Sequence, residues 1–395
     1  MNKPLLPKVI LHEHVEGSIT PFMAKKLADK NHITFPSSLC YQSGEYDANE
    51  YKNGRYRYDE TDFVQFIQTY DTVSNFVKTP EDYYLITYDF LYRNAKQGLI
   101  YCELFLSPYH ICATEEQGEI IWDEEQFHQT LQQMDAAITD VQKEFNITVR
   151  YHVIGVRHLG AKTVHDTLLF IEKNPHPFIT GFNIAGNEKA GHFDDFQTSH
   201  QLAQKLNLKK SYHAGEIESA ASIIQALKHG ADRIGHGIRA IEDQELINEL
   251  VRRNITLEVA LTSNRILVNE LHGDIHHHPV RQLYDQGLRI TLNTDDAGIF
   301  GTDIEKEYCL AQSIFHFTRL ELLDITLCGI DAAFVEDLQK ARLTDYVLSC
   351  FTTDDQLSLQ TAINENNYHP AIIKRFIHYQ HLLLKRMKNS ITGNK

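Results

Sequence analysis

The sequence is short of basic charge and of long apolar runs, and each shortage excludes a class of protein. Its 38 Lys and Arg face 53 Asp and Glu, for a formal net charge of −15. Because phosphate binding needs a basic face, this balance argues against nucleic acid and anionic membranes as partners. No apolar run approaches membrane-spanning length, and the N-terminus lacks the continuous apolar segment of a secretion signal. We therefore expect a protein of the cytoplasm.

Cysteine is also scarce and scattered. The chain has 6 cysteines in 395 residues, and no two of them form a C-x-x-C pair. Cys102 and Cys309 fall inside apolar or helical runs. This pattern is typical of reduced, mostly buried thiols in a cytosolic protein and not of a disulfide framework.

Short β-rich runs, most of them separated by segments of helical period, recur along the chain. Strand and helix patterns repeated eight times predict an α/β fold, a (β/α)8 barrel of the TIM type, in preference to an open sheet. We expect residues 1–395 to form a single barrel domain with extra helices at the C-terminal end. The strand candidates are Val9–His12, Leu99–Leu106, Val149–Val156, Ile179–Ile184, Lys209–His213, Arg233–His236, Thr256–Ala260 and Arg289–Asn293.

Two segments stand outside this alternation. Phe35–Glu60 is polar and rich in tyrosine, and it follows the first strand, which places it near the barrel mouth. A surface flap and an active-site lid are both consistent with that composition. At the other end, Asn389–Lys395 is expected to fray.

Residues with metal-ligand chemistry stand where predicted strands end. A barrel places its catalytic groups at that edge, and two histidines at i and i+2 of an extended chain point to the same side. Three histidines and a carboxylate meeting at one mouth suit zinc or a similar divalent ion, whereas the alternative is polar capping of strand ends. The run His276–His278 lies in a polar loop, where we expect at most adventitious metal binding. The strand-end residues are His12, His14, His213, Glu216, His236, Asp295 and Asp296.

Several longer segments match one family in order and spacing. The chain resembles the adenosine deaminases of the amidohydrolase superfamily over nearly its full length. The zinc deaminases with H-x-E and P-C-x-x-C motifs are a different fold, and nothing in this sequence resembles them. The matching segments are Leu11–Ser18, Gly181–Glu188, His213–Glu216, Gly235–Gly237, Thr262–Asn264 and Asn293–Asp296.

The resemblance implies a role for each site residue. It implies one zinc ion per chain, bound by His12, His14, His213 and Asp295, which activates water for addition to C6 of a purine. Glu216 would protonate N1, which requires a carboxyl group that stays protonated at neutral pH. His236 would orient the attacking oxygen, with Asp295 as a further catalytic residue. The implied substrate contacts are Asp296 to N7, the backbone N–H of Gly186 to N3, Glu16 to the ribose side, and His14.

The resemblance leaves the substrate open between adenosine and adenine. Adenosine enzymes of the family usually carry Asp where this chain has Glu16, and relatives that act on free adenine carry Glu there. Ile184–Glu188 is similar to the adenosine group, whereas Ala260-Leu261 and Ala297 depart from the usual residues. We expect hydrolytic deamination of adenosine or 2′-deoxyadenosine in purine salvage, with adenine as the alternative.

Two readings come from other classes. One is a nucleoside-binding protein without turnover, against which the complete ligand set argues. The other is a different barrel metallohydrolase, which would often need a second metal and a bridging lysine, and no lysine stands at a predicted strand end. The sequence leaves the metal used in the cell and the choice between monomer and homo-oligomer undetermined.

Overall fold

Eight parallel strands pair in chain order around a barrel. The computed structural model describes residues 5–40, 55–60 and 62–392. The sheet order is β1-β2-β5-β6-β7-β8-β9-β10. The barrel strands are β1 (Lys8–His14), β2 (Leu99–Leu106), β5 (Thr148–Val156), β6 (Ile179–Ala185), β7 (Lys209–Ala214), β8 (Arg233–His236), β9 (Thr256–Val259) and β10 (Arg289–Leu292).

The residues after β10 close the barrel against β1. Glu13 and Asp295 form a parallel bridge. The amide of His14 donates to the carbonyl oxygen of Asp295 at 2.8 Å, and the amide of Asp295 donates to the carbonyl oxygen of His12 at 3.0 Å. These bonds bring the first and last strand ends of the barrel together, although nearly 300 residues separate them.

The predicted (β/α)8 barrel is confirmed. The strands at 99–106 and 233–236 have the predicted bounds, and the other barrel strands differ from prediction by one or two residues at an end. One element was not predicted: an antiparallel hairpin of β3 (Ala113–Glu116) and β4 (Glu119–Trp122). Its residues are largely exposed and rich in glutamate, so it carries no pattern of buried residues.

Helices follow most barrel strands and form the outer layer. They are amphipathic, as α8 illustrates by burying Ala220, Ile223 and Leu227. The helices are α1 (Pro21–Lys30), α2 (Phe63–Ser74), α3 (Pro80–Ala95), α4 (Pro108–Cys112), α5 (Glu124–Gln142), α6 (Ala161–Lys173), α7 (Gln197–Lys205), α8 (Ala220–Lys228), α9 (Gln244–Arg253), α10 (Leu261–Leu267), α11 (Val280–Asp285), α12 (Ala297–Phe300), α13 (Ile304–Ser313), α14 (Arg319–Ala332), α15 (Asp337–Ser349), α16 (Thr353–Glu365) and α17 (Pro370–Thr392).

The barrel strands are buried on both faces, which explains their nearly continuous apolar runs. The interior nevertheless holds a set of charged residues that we call the interior network: Glu103, Arg233 and Glu258. Arg233 donates to both carboxylates at 2.5 Å and to the carbonyl oxygen of Ala332 at 2.8 Å. Because a buried charge is tolerated only when it is paired and hydrogen-bonded, the network is stable as a unit.

The insertion after β1 is described only in part. Residues 41–54 and 61 lie outside the described residues, and so does most of the predicted flap or lid. At its far end Tyr56 is buried, and its hydroxyl donates to the carbonyl oxygen of Ile19 at 2.9 Å. At the C-terminus α17 reaches Thr392, and residues 393–395 of the tail predicted to fray lie outside the described part.

Two expectations from composition can be compared with the structure. All six cysteines are free, as expected, but Cys309 is exposed where we expected burial. Within the described ranges, no helix combines the length and the apolar character that a membrane span requires.

Candidate metal centre and active site

Three histidines and a carboxylate meet at the carboxyl end of the barrel. Nε2 of His12 lies 3.0 Å from Nε2 of His213 and 3.3 Å from Oδ1 of Asp295. Nε2 of His14 lies 3.4 Å from Nε2 of His213 and 3.5 Å from Oδ1 of Asp295. All four residues are buried, and we call them the mouth cluster. The strand ends thus bring together the four residues that the sequence singled out as ligands.

Hydrogen bonds behind the rings orient the mouth cluster. Nδ1 of His12 lies 2.8 Å from a carboxylate oxygen of Glu258, and Nδ1 of His213 lies 2.8 Å from Oδ1 of Asn183. Because both partners are acceptors, each Nδ1 carries a proton, and a cation that displaces the second proton of His12 meets a lone pair on each Nε2. Two lone pairs then face each other at 3.0 Å, an arrangement that a cation between them stabilises.

The distances fit a tetrahedral ion. Ligand atoms placed about 2.0–2.1 Å from zinc at the corners of a tetrahedron lie about 3.3–3.4 Å apart. The distances from Nε2 of His12 and of His14 to His213 and Asp295, four of the six within the mouth cluster, range from 3.0 to 3.5 Å. His236 also places a ring nitrogen within 4.8 Å of the ligand atoms of His12, His213 and Asp295. His14 makes the shorter contacts, so its geometry is the better match to a fourth ligand.

The electrostatics of the cluster favour positive charge. Burial alone would lower the pKa of His12, but the carboxylates of Asp295 and Glu258 raise it to about 9. Burial lowers the pKa of His14 to about 3 and brings the pKa of His213 well below its ordinary value. Metal ligands must be deprotonated, so neutral rings beside a carboxylate suit a cation.

Unusual backbone conformations deliver two of the polar side chains. His236 and Asp295 have φ of +60° and +63°, in the left-handed region that residues other than glycine rarely adopt. The residue before His236 is also constrained, because a Cβ on Gly235 would lie 2.9 Å from Cε1 of His12. The end of β8 therefore combines a strained turn with space for a ligand ring, which is typical of a functional site.

Glu216 stands beside the mouth cluster on a loop held by another carboxylate. Glu188 accepts hydrogen bonds from the amides of Gly215, Glu216, Ile217 and Glu218, at 2.6–3.2 Å, and from the hydroxyl of Ser222. Burial raises the pKa of Glu216 well above its ordinary value, and the charges of Asp295 and Glu188 add to that effect. Burial thus favours the protonated form of the Glu216 carboxyl group, the form that is suited to donate a proton.

A pocket opens in front of these groups. Its empty volume, including the open mouth, is about 630 Å³. One wall is the helix α2, which contributes Phe63, Phe66 and Tyr70. Gly186 lines the pocket with φ of +97°, and a Cβ there would lie 2.6 Å from Nδ1 of His158. The predicted substrate-side residues Gly186, His14 and Asp296 therefore share one cavity with Glu216.

Asp296 is a buried acid, one of whose carboxyl oxygens has no hydrogen-bond partner among the described residues. Its Oδ1 is buried and makes no hydrogen bond to the described residues. Burial raises its pKa well above the ordinary value, and the neighbouring charge of Asp295 raises it further. Burial therefore favours the protonated form of Asp296, which can donate a hydrogen bond to a ligand.

Glu16 does not stand free in the pocket. Its carboxylate accepts hydrogen bonds from the hydroxyls of Tyr83, at 2.9 Å, and Tyr70, at 3.2 Å. Glu16 is 1% exposed, and the pocket lining includes Tyr70 but not Glu16. The two tyrosines come from α3 and α2, so two helices close over the end of β1.

Sequence reasoning missed the residues that support the site. Glu258, Asn183, Glu188 and Glu13 were not singled out. Glu13 accepts from the amide of Ala297 at 3.1 Å and from the hydroxyl of Thr294, which anchors the turn that carries Asp295. Glu188 and Asn183 lay inside a quoted motif, which was the available signal.

The loop His276–His278, where at most adventitious metal binding was expected, is exposed only in part. His276 and His277 are exposed, but His278 is 3% exposed, and its Nε2 lies 3.2 Å from Oδ1 of Asn264. The physical reason is that His278 ends the loop before α11, where its ring packs against Phe315 at 6.0 Å between centroids.

Comparison with known proteins identifies the family of this chain. The family model for adenosine deaminase matches residues 7–350. The chain belongs to the adenosine deaminase family. An adenine deaminase from Chelativorans sp. is 34% identical over 86% of this chain and 97% of its own length. An adenine deaminase from Rhizobium etli is 35% identical over 86% of this chain and 98% of its own length.

Solved structures of this family share the fold. The adenine deaminase from Arthrobacter aurescens superimposes with a TM-score of 0.74 at 23% identity, covering 87% of this chain and 98% of its own. An N6-mAMP deaminase from Arabidopsis superimposes with a TM-score of 0.70 at 23% identity, covering 87% and 98%. The protein is thus a hydrolytic deaminase of this family built on a TIM barrel.

Proposed function

We propose that this protein deaminates free adenine to hypoxanthine and ammonia. The observation that carries the choice is the state of Glu16. In the reading that favours adenosine, this carboxylate accepts a hydrogen bond from a sugar hydroxyl. Here it is buried and already accepts from Tyr70 and Tyr83, so in this proposal the two tyrosines take the place of the sugar hydroxyl.

The relatives favour the same substrate. The proteins from Chelativorans sp. and Rhizobium etli, each about a third identical to this chain, are adenine deaminases. From sequence we expected adenosine with adenine as the alternative, and these relatives support the alternative. The expectation had rested on Ile184–Glu188, whose Gly186 contacts the base and not the sugar in the implied arrangement. Gly186 therefore does not separate adenine from adenosine.

We further propose that the mouth cluster binds one zinc ion per chain. His12, His14, His213 and Asp295 supply three neutral nitrogens and one carboxylate, the donor types that zinc takes in hydrolases. When bound, the ion supplies the activation of water at neutral pH. A zinc-bound amidohydrolase from Burkholderia ambifaria superimposes on the chain with a TM-score of 0.72 at 21% identity, covering 87% of this chain and 93% of its own.

The chain's own groups then bind and protonate the base. The neutral carboxyl of Asp296 donates to N7, and the backbone N–H of Gly186 donates to N3. Glu216 gives its proton to N1, which makes C6 electrophilic. The water oxygen bonds to C6 and the C6–N6 bond breaks. One proton of the water leaves with the amino group as ammonia, and the other restores the carboxyl group of Glu216. His236 and Asp295 flank the attacking oxygen.

The test compares adenine with adenosine in the unmodified protein and in Glu16→Asp. We expect kcat/KM for adenine to exceed that for adenosine by at least about 10²-fold, because a filled pocket excludes the ribose. Shortening the side chain by one methylene opens that space, an effect worth about 10- to 200-fold in discrimination. Adenosine should therefore gain relative to adenine in Glu16→Asp.

Tyr83→Phe is the matched control. It removes one hydrogen bond to Glu16 but keeps the length of the side chain, so the preference for adenine should persist. Adenosine reacting faster than adenine in the unmodified protein would overturn the proposal.

Adenosine remains a second candidate because of the outer pocket wall. Asp71 and His158 line it, both exposed to solvent, and adenine does not use them in the arrangement above. Burial raises the pKa of Asp71 and lowers that of His158. If adenosine were the substrate, Asp71→Ala would raise its KM and leave adenine unaffected.

A further inference from the structure

A chain of three side chains runs from a helix terminus to the active site. The backbone N–H of Val280 donates to Nδ1 of His278 at 3.1 Å. Nε2 of His278 lies 3.2 Å from Oδ1 of Asn264, and Nδ2 of Asn264 lies 3.1 Å from Nδ1 of His236. The ring of His236 in turn presents Nε2 to the site, 3.6 Å from a carboxyl oxygen of Glu216.

In the hydrogen bond between Val280 and His278, only the backbone amide can be the donor. A backbone N–H can only donate, so Nδ1 of His278 is an acceptor and carries no proton. Burial lowers the pKa of His278 to about 3, so the ring is neutral and its single proton is on Nε2. Nε2 of His278 is therefore a donor, and the atom of Asn264 that faces it must be the carbonyl oxygen.

The donor and acceptor roles at His278 determine those of the Asn264 side chain. Once its oxygen accepts from His278, its amide nitrogen is the atom that faces His236, and an amide nitrogen can only donate. The same nitrogen also lies 3.5 Å from Oε1 of Glu216. Nδ1 of His236 is then an acceptor without a proton, so the proton of this ring is on Nε2. The backbone of Val280 thus determines the tautomer of a residue beside the mouth cluster.

The helix that carries Asn264 is held in place by a buried carboxylate. Asn264 lies on α10, whose first amides, of Leu261 and Thr262, donate to the carboxylate of Glu307 at 2.9 and 3.3 Å. Asn264 and His278 are both buried, so water does not compete for their hydrogen bonds. The chain of hydrogen bonds is consequently rigid and dry.

We propose that Asn264 and His278 are positioning residues that hold His236 as the Nε2–H tautomer, so that His236 acts in the reaction as a hydrogen-bond donor and not as a base. This inference rests on the proposed deamination and adds which proton the site presents. His236 then stabilises negative charge on the oxygen that attacks C6. The first proton that the water loses must then go to a group other than His236. We assign that role to Asp295, the carboxylate of the mouth cluster.

The direct test is long-range ¹H–¹⁵N NMR of the zinc-loaded protein labelled with ¹⁵N-histidine, with His236→Asn used to assign the signal. We expect the Nε2–H tautomer of His236. In Asn264→Asp a carboxylate replaces the donating amide, so the proton of His236 should move to Nδ1. An Nδ1–H tautomer in the unmodified protein, or an unchanged tautomer in Asn264→Asp, would overturn the inference. Neither result depends on the substrate, so a failure of the proposed function is distinguishable.

Kinetics supply a second readout. A wrong tautomer costs about 10⁴-fold in kcat where the histidine is the base of a serine protease; for a donor role we expect about 10²-fold in Asn264→Asp, with KM changed less than about threefold. His278→Leu breaks the chain and should lower kcat about 10-fold. His278→Gln restores a donor and should recover most of that loss. His277→Leu, in the exposed part of the same run, is the matched control. Equal effects of Leu and Gln at position 278 would contradict a role in hydrogen bonding.

Discussion

The mouth cluster and the interior network are adjacent sets of buried polar residues with opposite hydrogen-bonding states. In the interior network the positive charge of Arg233 lies between Glu103 and Glu258, and Tyr101, Ser211 and backbone groups satisfy the remaining atoms. In the mouth cluster, lone pairs of neutral rings and a carboxylate face one another. The comparison teaches that burial and charge alone do not indicate function. A set whose charges and hydrogen bonds are satisfied within the protein is structural, whereas a set whose ring nitrogens and carboxylate converge on one point suits a cation.

The two sets are joined through one residue. Glu258 accepts from Arg233 with one carboxylate oxygen and from Nδ1 of His12 with the other. Arg233 and the bond to His12 lower the pKa of Glu258 to about 2, against the effect of burial. Glu258 is therefore a carboxylate at every pH of interest and keeps the proton of His12 on Nδ1. Variants on either side of Glu258 can separate catalysis from stability.

The largest effect is expected at the active site. Glu216→Gln removes the proton donor, and general-acid catalysis contributes about 10²–10⁴-fold, so we expect kcat to fall about 10³-fold, which is about 4 kcal/mol. Adenine binding and the free energy of unfolding should change little. Steady-state kinetics and equilibrium binding measure this. Glu218→Gln, on the same loop, is the control, and an unchanged kcat in Glu216→Gln would remove this residue from the mechanism.

The interior network should respond in stability. Arg233→Met leaves two carboxylates buried and unpaired, and breaking such a pair costs about 3–5 kcal/mol. Denaturant unfolding measures the loss. The control is Arg252→Met on α9, where Arg252 pairs with Glu249 in solvent, and we expect less than about 1 kcal/mol there. A loss at Arg233 no larger than at Arg252 would show that the network is not structural.

The smallest effect is expected at Glu258, which joins the interior network to the mouth cluster. Glu258→Gln keeps the shape of the side chain but weakens its bond to His12. Loss of such a partner typically costs about 10- to 100-fold in metal affinity. Competition with a chelator measures that affinity. Glu103→Gln is the comparison. Glu103 pairs with Arg233, and among the described residues it makes no hydrogen bond to His12, so this variant should lose stability and retain metal affinity. Equal metal affinities in the two variants would argue against the link.

The fold and the ligands could be predicted from sequence for a physical reason. Strands buried on both faces leave apolar runs, and a barrel places its functional residues directly after them, so His213 and Asp295 are marked by local context. The supporting residues have no such mark. Glu258 and Glu103 look like ordinary strand residues, and their importance depends on Arg233 of another strand. The burial of His278 and its hydrogen bond were not predicted, because its partner, Asn264, is 14 residues away. Those contacts follow from how distant segments pack, which local patterns do not contain.

The central claim is that the mouth cluster is a metal site. The most direct measurement is the zinc content of protein dialysed after zinc loading, determined by elemental analysis for the unmodified chain, His213→Ala and His277→Ala. The account predicts about one zinc ion per chain in the unmodified protein and in His277→Ala, and almost none in His213→Ala, in line with a four-coordinate site that has lost a ligand. Equal zinc content in all three proteins, or an unmodified protein that deaminates adenine without metal, would contradict it.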